Sequence, residues 1–420
     1  MKVAMVNNYF YLRGGCERVM FNDMQALEAE GIEVIPFSAT DEANVETPYS
    51  SFFSPGADIR ATSTLKRIGA AADAIHCQRS TEDFAKLLDE TKPDIVHCHN
   101  VYGRLSTAIL PVARKRNIPV VLTTHDYKVV CPSYLMLRDG KPCTACLDGG
   151  YYRCAVNRCH KGQTAASIVY ALEAYNAKYS GNYDAVSAFL APSRFIADLL
   201  RKSGIADDRV IYHANSVDPS LYQPSYSGDY VLSVGRLSHE KGLPTLLQAM
   251  LGTKIPMRVA GTGPMESELR AMAEKDGGSI VMEGHCGGEK LAELYRNAAF
   301  VVVPSEWYEN APMSILESFA YGKAVIGTRI GGIPEMITEG EHGHLVDHGS
   351  QEQLRAAILE LWRDRNAQSE MGRNARRLVE TRFAQSTRTA SLLRIYERMS
   401  NTYAAAPFSS QHIFENSSIQ

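Results

Sequence analysis

Two doubly wound α/β domains, each a parallel sheet covered on both faces, are what this chain predicts, and three observations predict them. Short apolar, β-branched runs alternate with longer amphipathic stretches along almost the whole length. At 420 residues the chain exceeds one compact core, so two units of roughly 200 residues are the natural partition. One soft interruption, "SVDPSLYQPSYSGDY" at residues 216–230, is rich in Ser, Pro, Tyr and Asp and carries little periodicity.

The elements follow in order. In the first half the runs are "KVAMV", "IEVIPF", "PDIVHCHN", "PVVLTTH", "AFLAPS" and "RVIYHAN"; in the second they are "YVLSVG", "MRVAG", "SIVMEG", "FVVVPS" and "AVIGT". Such continuous runs mark strands buried on both faces rather than on one. Between them lie helical patterns such as "CERVMFNDMQALEAEG" and "EKLAELYRNAA", where Leu291, Leu294 and Tyr295 share a face. The expected division is a first domain over 1–222, a second over 223–385, a final helix over 386–400 and a disordered tail over 401–420.

Composition narrows the class. Hydrophobic residues at 45% and charged residues at 22% describe a globular protein, and a net charge of −3 offers no electrostatic footprint for nucleic acid. No apolar run approaches the roughly 18 residues of a spanning helix. The start, "MKVAMVNNYF", reads as a buried first strand rather than a signal peptide, so the expectation for the nine cysteines is reduced thiols in a cytoplasm.

Unusual polar groups collect where strands end, which is where open parallel sheets bind ligands. Gly14 and Gly15 follow "KVAMV"; His125 and Asp126 end "PVVLTTH"; Arg236 ends "YVLSVG", with Lys241 five residues later. "MRVAG" runs into "GTGP", and "FVVVPS" runs into "SEWYENAPMSILES", which holds Glu309 and Glu317. These positions predict a cleft between two sheets whose strand ends face each other. Adjacent glycines before a helix let backbone N–H groups approach an anion. Arg236 and Lys241 place two cations at one phosphate site. Two carboxylates cannot hold phosphate, but each can accept hydrogen bonds from a vicinal diol. A diphosphate with a sugar at either end is a nucleotide sugar. Pro312 is expected in the first helical turn, with the N–H groups from Ala311 to Ser314 pointing toward the ligand.

These residues resemble the retaining nucleotide-sugar glycosyltransferases of family 4, which have the GT-B fold. "ENAPMSILE" resembles the family's pair of spaced glutamates, and "VGRLSHEKG", "GTGP", "PSEWYE", "ESFAYGKAVIGTRIGGIPEMI" and "GHLV" fall in the family's order. "RGGCERV", "TTHD", "APSRF" and "NSVD" extend the likeness over roughly residues 1 to 385. The resemblance implies that Arg236 and Lys241 bind the diphosphate, Glu317 the nucleotide ribose and Glu309 the transferred sugar, with Asn310, Ala311, Pro312 and Met313 in the same donor loop. It implies that Gly14 and Gly15 approach the donor phosphates and that His125, with Glu309, serves the reaction. It also implies a last helix that returns to the first domain, retention at the anomeric carbon, and no required metal. Arg236, Lys241 and helix-start N–H groups must then stabilise the leaving charge. One departure is Asn310, where many members carry glycine; asparagine tolerates left-handed backbone angles better than most residues.

Other features have plainer readings beside the functional ones. His97 and His99 read as structural or cleft-lining, and Trp307 and Tyr308 as sugar-stacking or packing aromatics. "GTGPME" lacks the third glycine of a nicotinamide site. The stretch "CPSYLMLRDGKPCTACLDGGYYRCAVNRCH", residues 131–160, is an insertion in the first domain that carries five cysteines and a histidine. Cys143, Cys146, Cys154 and Cys159 suit a structural tetrahedral zinc; free thiols and disulfides are the alternatives. Arg114, Lys115 and Arg116 form a basic helix end or a membrane contact.

The expected activity is therefore transfer of a hexose from a UDP- or GDP-sugar to a saccharide or lipid-linked acceptor. The expected setting is bacterial cell-envelope or exopolysaccharide assembly, in the cytoplasm or at the inner face of the membrane. A catalytically silent nucleotide-sugar sensor or scaffold is the alternative from another class, and a sugar-nucleotide epimerase is the alternative chemistry.

Overall fold

A computed structural model describes residues 1–58 and 63–405. The chain divides into two compact units, one of Met1–Thr123, Leu172–Leu190 and the chain from Ala390 on, the other of Thr124–Ala171 and Ala191–Thr389. The last helix runs Gln385–Ala405, past the expected stop at 400; the rest of the expected tail lies outside the described residues. Among the described residues no helix is long and apolar enough to cross a membrane.

The first unit is built on β1 (Lys2–Asn7), β2 (Glu33–Ser38), β3 (Ile95–Cys98), β4 (Val120–Thr123) and β5 (Val186–Ala191). They pair in parallel in the order β2-β1-β3-β4-β5, with Val3 opposite both Val34 and Ile95. The order reverses between β1 and β3, and amides fill the carboxyl ends there. Asn8 N–H donates to Asn100 O at 2.6 Å, Asn8 Nδ2 to Asn100 Oδ1 at 3.1 Å, and Asn100 N–H to Asn7 Oδ1 at 2.9 Å. Gly14 then caps the helix Gly15–Ala29 with extended backbone.

His97 and His99 are fully buried in this unit and stack at 4.5 Å. His97 Nδ1 lies 2.6 Å from Tyr396 Oη on the last helix, and Nε2 lies 2.8 Å from Thr123 Oγ1. With both ring nitrogens engaged, His97 is a structural residue. The basic stretch is also engaged: Arg116 makes a two-pronged contact to Asp89 at 2.7 Å for each prong, and Arg114 donates to Asp184 O.

The second unit carries β6 (Tyr230–Val234), β7 (Met257–Ala260), β8 (Ile280–Gly284), β9 (Ala298–Val303), β10 (Val325–Thr328) and β11 (Gly343–Val346). All are parallel, in the order β8-β7-β6-β9-β10-β11. Side chains alternate between two apolar layers as the pleat requires. Val231, Val259, Phe300, Val302 and Ile326 meet the helices Leu243–Met250 and Gln351–Arg363. Tyr230, Leu232, Val301, Val303 and Val325 meet Met313–Ala320 and Arg365–Arg382. Burial of each such side chain stabilises the fold by about 1.5–3 kcal/mol.

Candidate active site

The second sheet reverses direction between β6 and β9, so the loops after these strands open a crevice at their shared carboxyl ends. After β6 the chain makes a 3₁₀ turn over His239–Lys241 and enters the next helix through Gly242. Gly242 has φ +68°, and a Cβ there would sit 1.9 Å from Pro304 O in the loop after β9. Only glycine lets the two loops approach this closely. Glu306 N–H then donates to Glu240 O at 2.9 Å and ties them.

This contact brings two sequence-predicted residues into one ion pair. Lys241 Nζ lies 2.6 Å from Glu309 Oε1, which also accepts from Ser305 Oγ at 2.6 Å. The Glu309 side chain is 7% exposed and that of Lys241 27%, so the carboxylate is enclosed while the ammonium keeps a face to solvent. Burial alone would raise the Glu309 carboxyl. The Lys241 ammonium and the hydrogen bonds from Lys241 and Ser305 outweigh burial and hold it below its usual range. Glu309 is therefore a pre-formed carboxylate.

Asn310 locks the next turn. Its Nδ2 donates to Thr124 O at 2.8 Å and His125 O at 3.3 Å, and its Oδ1 accepts from Ser193 Oγ at 2.8 Å. Ser193 Oγ accepts in turn from Ile196 N–H, so one hydroxyl caps a helix and positions Asn310. Asn310 is not among the residues with left-handed backbone. Asparagine serves this position by hydrogen bonding, not by tolerance of left-handed backbone angles. Behind it, Gly331 and Gly332 press on the same backbone: a Cβ at Gly331 would lie 2.3 Å from Glu309 O, and one at Gly332 1.8 Å from Asn310 O. Pro312 also differs from expectation. It is the N-cap, with ψ 122°, and the helix begins at Met313. Its fixed φ sets the approach to the helix rather than the first turn.

The remaining predicted residues are placed individually. Glu317 is buried on the helix Met313–Ala320 and accepts from Tyr295 Oη at 3.2 Å. Ala311 O accepts from Asn215 Nδ2 at 3.1 Å. Arg236, two residues past β6, is exposed, and its side chain has no hydrogen-bond or ion-pair partner among the described residues, while its backbone O accepts from Ser238 N–H at 3.0 Å. Gly14 and Gly15 belong to the first unit, where neither backbone angle nor contact requires glycine at 14: a Cβ would meet Glu17 at an ordinary 3.6 Å. Cys143, Cys146, Cys154 and Cys159 line a separate cavity.

Sequence reading passed over Ser193, Ser305, Gly331, Gly332 and Tyr127. Tyr127 is 1% exposed, packs edge-on against Trp307 at 6.3 Å, and its hydroxyl has no hydrogen-bond partner among the described residues. Burial, then the Glu309 charge, pushes the phenol well above its ordinary value. The adjacent "THDY" was the available signal. Trp307 lies under Lys241, with Nζ 5.3 Å from a ring centroid, so it packs the ion pair.

Two family models match the chain, "Glycosyltransferase Family 4" over residues 13–221 and "Glycosyl transferases group 1" over 225–378. A GDP-mannose-dependent alpha-mannosyltransferase of Corynebacterium glutamicum is 32% identical over 195 residues, 43% of this chain and 46% of that one. The chain spans about half the length of the curated relatives it matches. Sucrose-phosphate synthase from Thermosynechococcus elongatus superposes with TM-score 0.69 at 18% identity, covering 96% of this chain and all (100%) of that one. An Anabaena protein, HepE, solved with UDP superposes with TM-score 0.66 at 15% identity, covering 95% and 100%. At these identities the two structures speak for the fold.

Proposed function

The chain belongs to the group 1, family 4 glycosyltransferases and has their GT-B fold, and on that footing we propose that it transfers a hexose from a UDP- or GDP-sugar to an acceptor hydroxyl with retention at the anomeric carbon. The carrying observation is the Lys241–Glu309 pair at the switch point of the second sheet, with the Arg236 side chain unpaired in the same loop after β6.

Each group has a role in this reading. Arg236 and Lys241 receive the diphosphate, and the exposed face of Lys241 lets it do so while still holding Glu309. Glu309, kept ionised, accepts hydrogen bonds from hexose hydroxyls, and Glu317 accepts them from the ribose. Asn310, Ala311, Pro312 and Met313 set the loop between the two glutamates. Gly14 and Gly15 offer backbone N–H groups to phosphate, and His125 hydrogen-bonds the hexose near the reacting carbon. The acceptor oxygen then bonds to the anomeric carbon on the face the diphosphate leaves. The acceptor proton passes to the departing phosphate oxygen, and Arg236 and Lys241 stabilise the charge on the leaving group. No metal is assigned to this step.

In the same reading residues 1–222 form the acceptor domain, 223–385 the donor domain, and 386–400 the returning helix. This division by motif differs from the compact units, where 124–171, with the cysteine-rich segment, and 191–222 go with the second. The acceptor is a saccharide or lipid-linked molecule in bacterial cell-envelope or exopolysaccharide assembly, and the enzyme works in the cytoplasm, with peripheral contact at the inner membrane face as the alternative. Within the basic stretch, Lys115 is the cation left for an anionic surface, because Arg114 and Arg116 are already engaged.

Product analysis tests the proposal. Incubation with UDP- and GDP-hexoses should release one nucleoside diphosphate by transfer or slow hydrolysis, and the sugar product should keep the donor's anomeric configuration by NMR. Inversion would refute the retaining step. Binding without turnover would favour a sensor, and an altered nucleotide sugar would favour an epimerase.

A further inference from the structure

The second unit also holds chemistry that transfer does not use. Residues 131–162 carry five of the nine cysteines, none of them in a disulfide. Cys131, Cys143, Cys146, Cys154 and Cys159 all line one small cavity. Regular structure in the segment is confined to the two-residue strands Leu137–Arg138 and Lys141–Pro142 and the helix Tyr152–Val156. Yet Tyr134, Met136, Asp139, Arg158 and Lys161, five of the nine described non-glycine residues with positive φ, lie here. Left-handed backbone at such residues costs free energy and persists only where surrounding structure holds it. Asp139 shares the two-residue hairpin turn with Gly140 and Arg158 follows the helix C-cap, so local turns account for those two. A cross-link would hold Tyr134, Met136 and Lys161.

The thiols are arranged for one. Cys131, Cys146, Cys154 and Cys159 lie close enough that each sulfur's charge acts on the others in all six pairings, while Cys143 acts on Cys146. Cys131 Sγ accepts backbone N–H bonds from Ser133 and Met136, and Cys154 hydrogen-bonds Cys159. Arg153 stands near Cys146 and Arg138 near Cys159, each shared with an acid, Asp148 and Asp139. His160 stacks on Tyr170 at 4.5 Å and is not part of the cavity wall.

We infer that Cys131, Cys146, Cys154 and Cys159 are a closed tetrathiolate site for zinc that staples this segment. Binding forms four Zn–S bonds and releases four thiol protons to solvent, leaving a complex of charge 2− with no open position for chemistry. Among the described residues no three of these sulfurs lie mutually within 4.8 Å. Zn–S bonds of about 2.3 Å bring sulfurs to about 3.8 Å from one another, so capture requires these thiols to close in around the metal. The ligand set departs from what spacing alone predicts, because Cys131 replaces Cys143 of the C-x2-C pair.

The test is metal content of the full chain, purified under reducing conditions and dialysed against a weak chelator. The expected result is about one zinc per chain, lost in Cys131→Ser and retained in Cys143→Ser. Cobalt exchange should give the intense visible bands of a tetrahedral thiolate centre. Wild-type protein without zinc, whether its cysteines titrate as free thiols or are found as disulfides, overturns the site. Zinc lost from Cys143→Ser overturns this ligand set, and that result is readable even if Cys131→Ser does not fold. Nucleotide binding is measured separately, so neither outcome depends on the proposed transfer.

Discussion

The two sheets share a layout and differ in what stands at their switch points. Between β1 and β3 of the first unit, Asn7, Asn8 and Asn100 bond one another as an amide network, and Asn7 Nδ2 also donates to the buried Glu17 side chain at 3.3 Å. Between β6 and β9 of the second, Lys241 and Glu309 form an ion pair with the carboxylate enclosed. Topology provides a crevice at both places, but only loop residues decide whether it carries charge. A diphosphate needs a cation, which Lys241 brings to the second crevice, while an acceptor sugar needs hydrogen-bonding groups such as the amides and Glu17 of the first. The donor role is therefore proposed for the second crevice.

Removing the charge should have the largest effect. Lys241→Ala leaves Glu309 ionised and enclosed without its partner, so stability in urea unfolding should drop by about 3 kcal/mol. Transfer rates should fall by about 100-fold or more. The double variant Lys241→Met with Glu309→Gln should recover most of the stability and none of the transfer. If it recovers transfer, the crevice charge is not what distinguishes the second unit.

The next effect belongs to Asn310. In Asn310→Ala the carbonyls of Thr124 and His125 and the Ser193 hydroxyl lose a partner, with an expected loss of about 1–3 kcal/mol by chemical denaturation. In the first unit, Asn8→Ala strips partners from Asn100, Tyr102 and Leu105 and should cost a similar amount, about 1–3 kcal/mol, but leave nucleotide affinity unchanged. A large change in affinity there would erase the contrast between the two crevices.

The smallest effect is on pH dependence. The Glu309 carboxyl is held below its unfolded value, so its contribution to stability is complete above the ordinary carboxylate range and is lost as pH falls through the folded value. Wild-type stability should show this acid-side loss, and Glu309→Gln should show less of it, in denaturation curves taken from about pH 3 to 7.

Most of the sheet order's raw material was legible because strands buried on both faces read as plain apolar runs. Gly343–Val346 was not read as a strand: it is four residues long, begins with glycine, and its two central residues are only partly buried. Lys241 and Glu309 were individually legible as strand-end charges, but their pairing was not, since it depends on Gly242 letting two loops touch. Ser193 and Gly332 lie in motifs that carry the resemblance, "APSRF" and "ESFAYGKAVIGTRIGGIPEMI", but nothing in either stretch shows that both act on Asn310. The Pro312 position was off by one turn residue because proline suits both the N-cap approach and the first helical turn.

The most direct measurement is calorimetric titration of the purified protein with UDP, GDP and ADP, repeated on Glu317→Ala. Micromolar binding of UDP or GDP that is lost in the variant is the predicted result, because Glu317 then holds the ribose beside the charged crevice. Binding that survives Glu317→Ala unchanged, or no binding of any of the nucleotides, would contradict the assignment of the second crevice as the donor site.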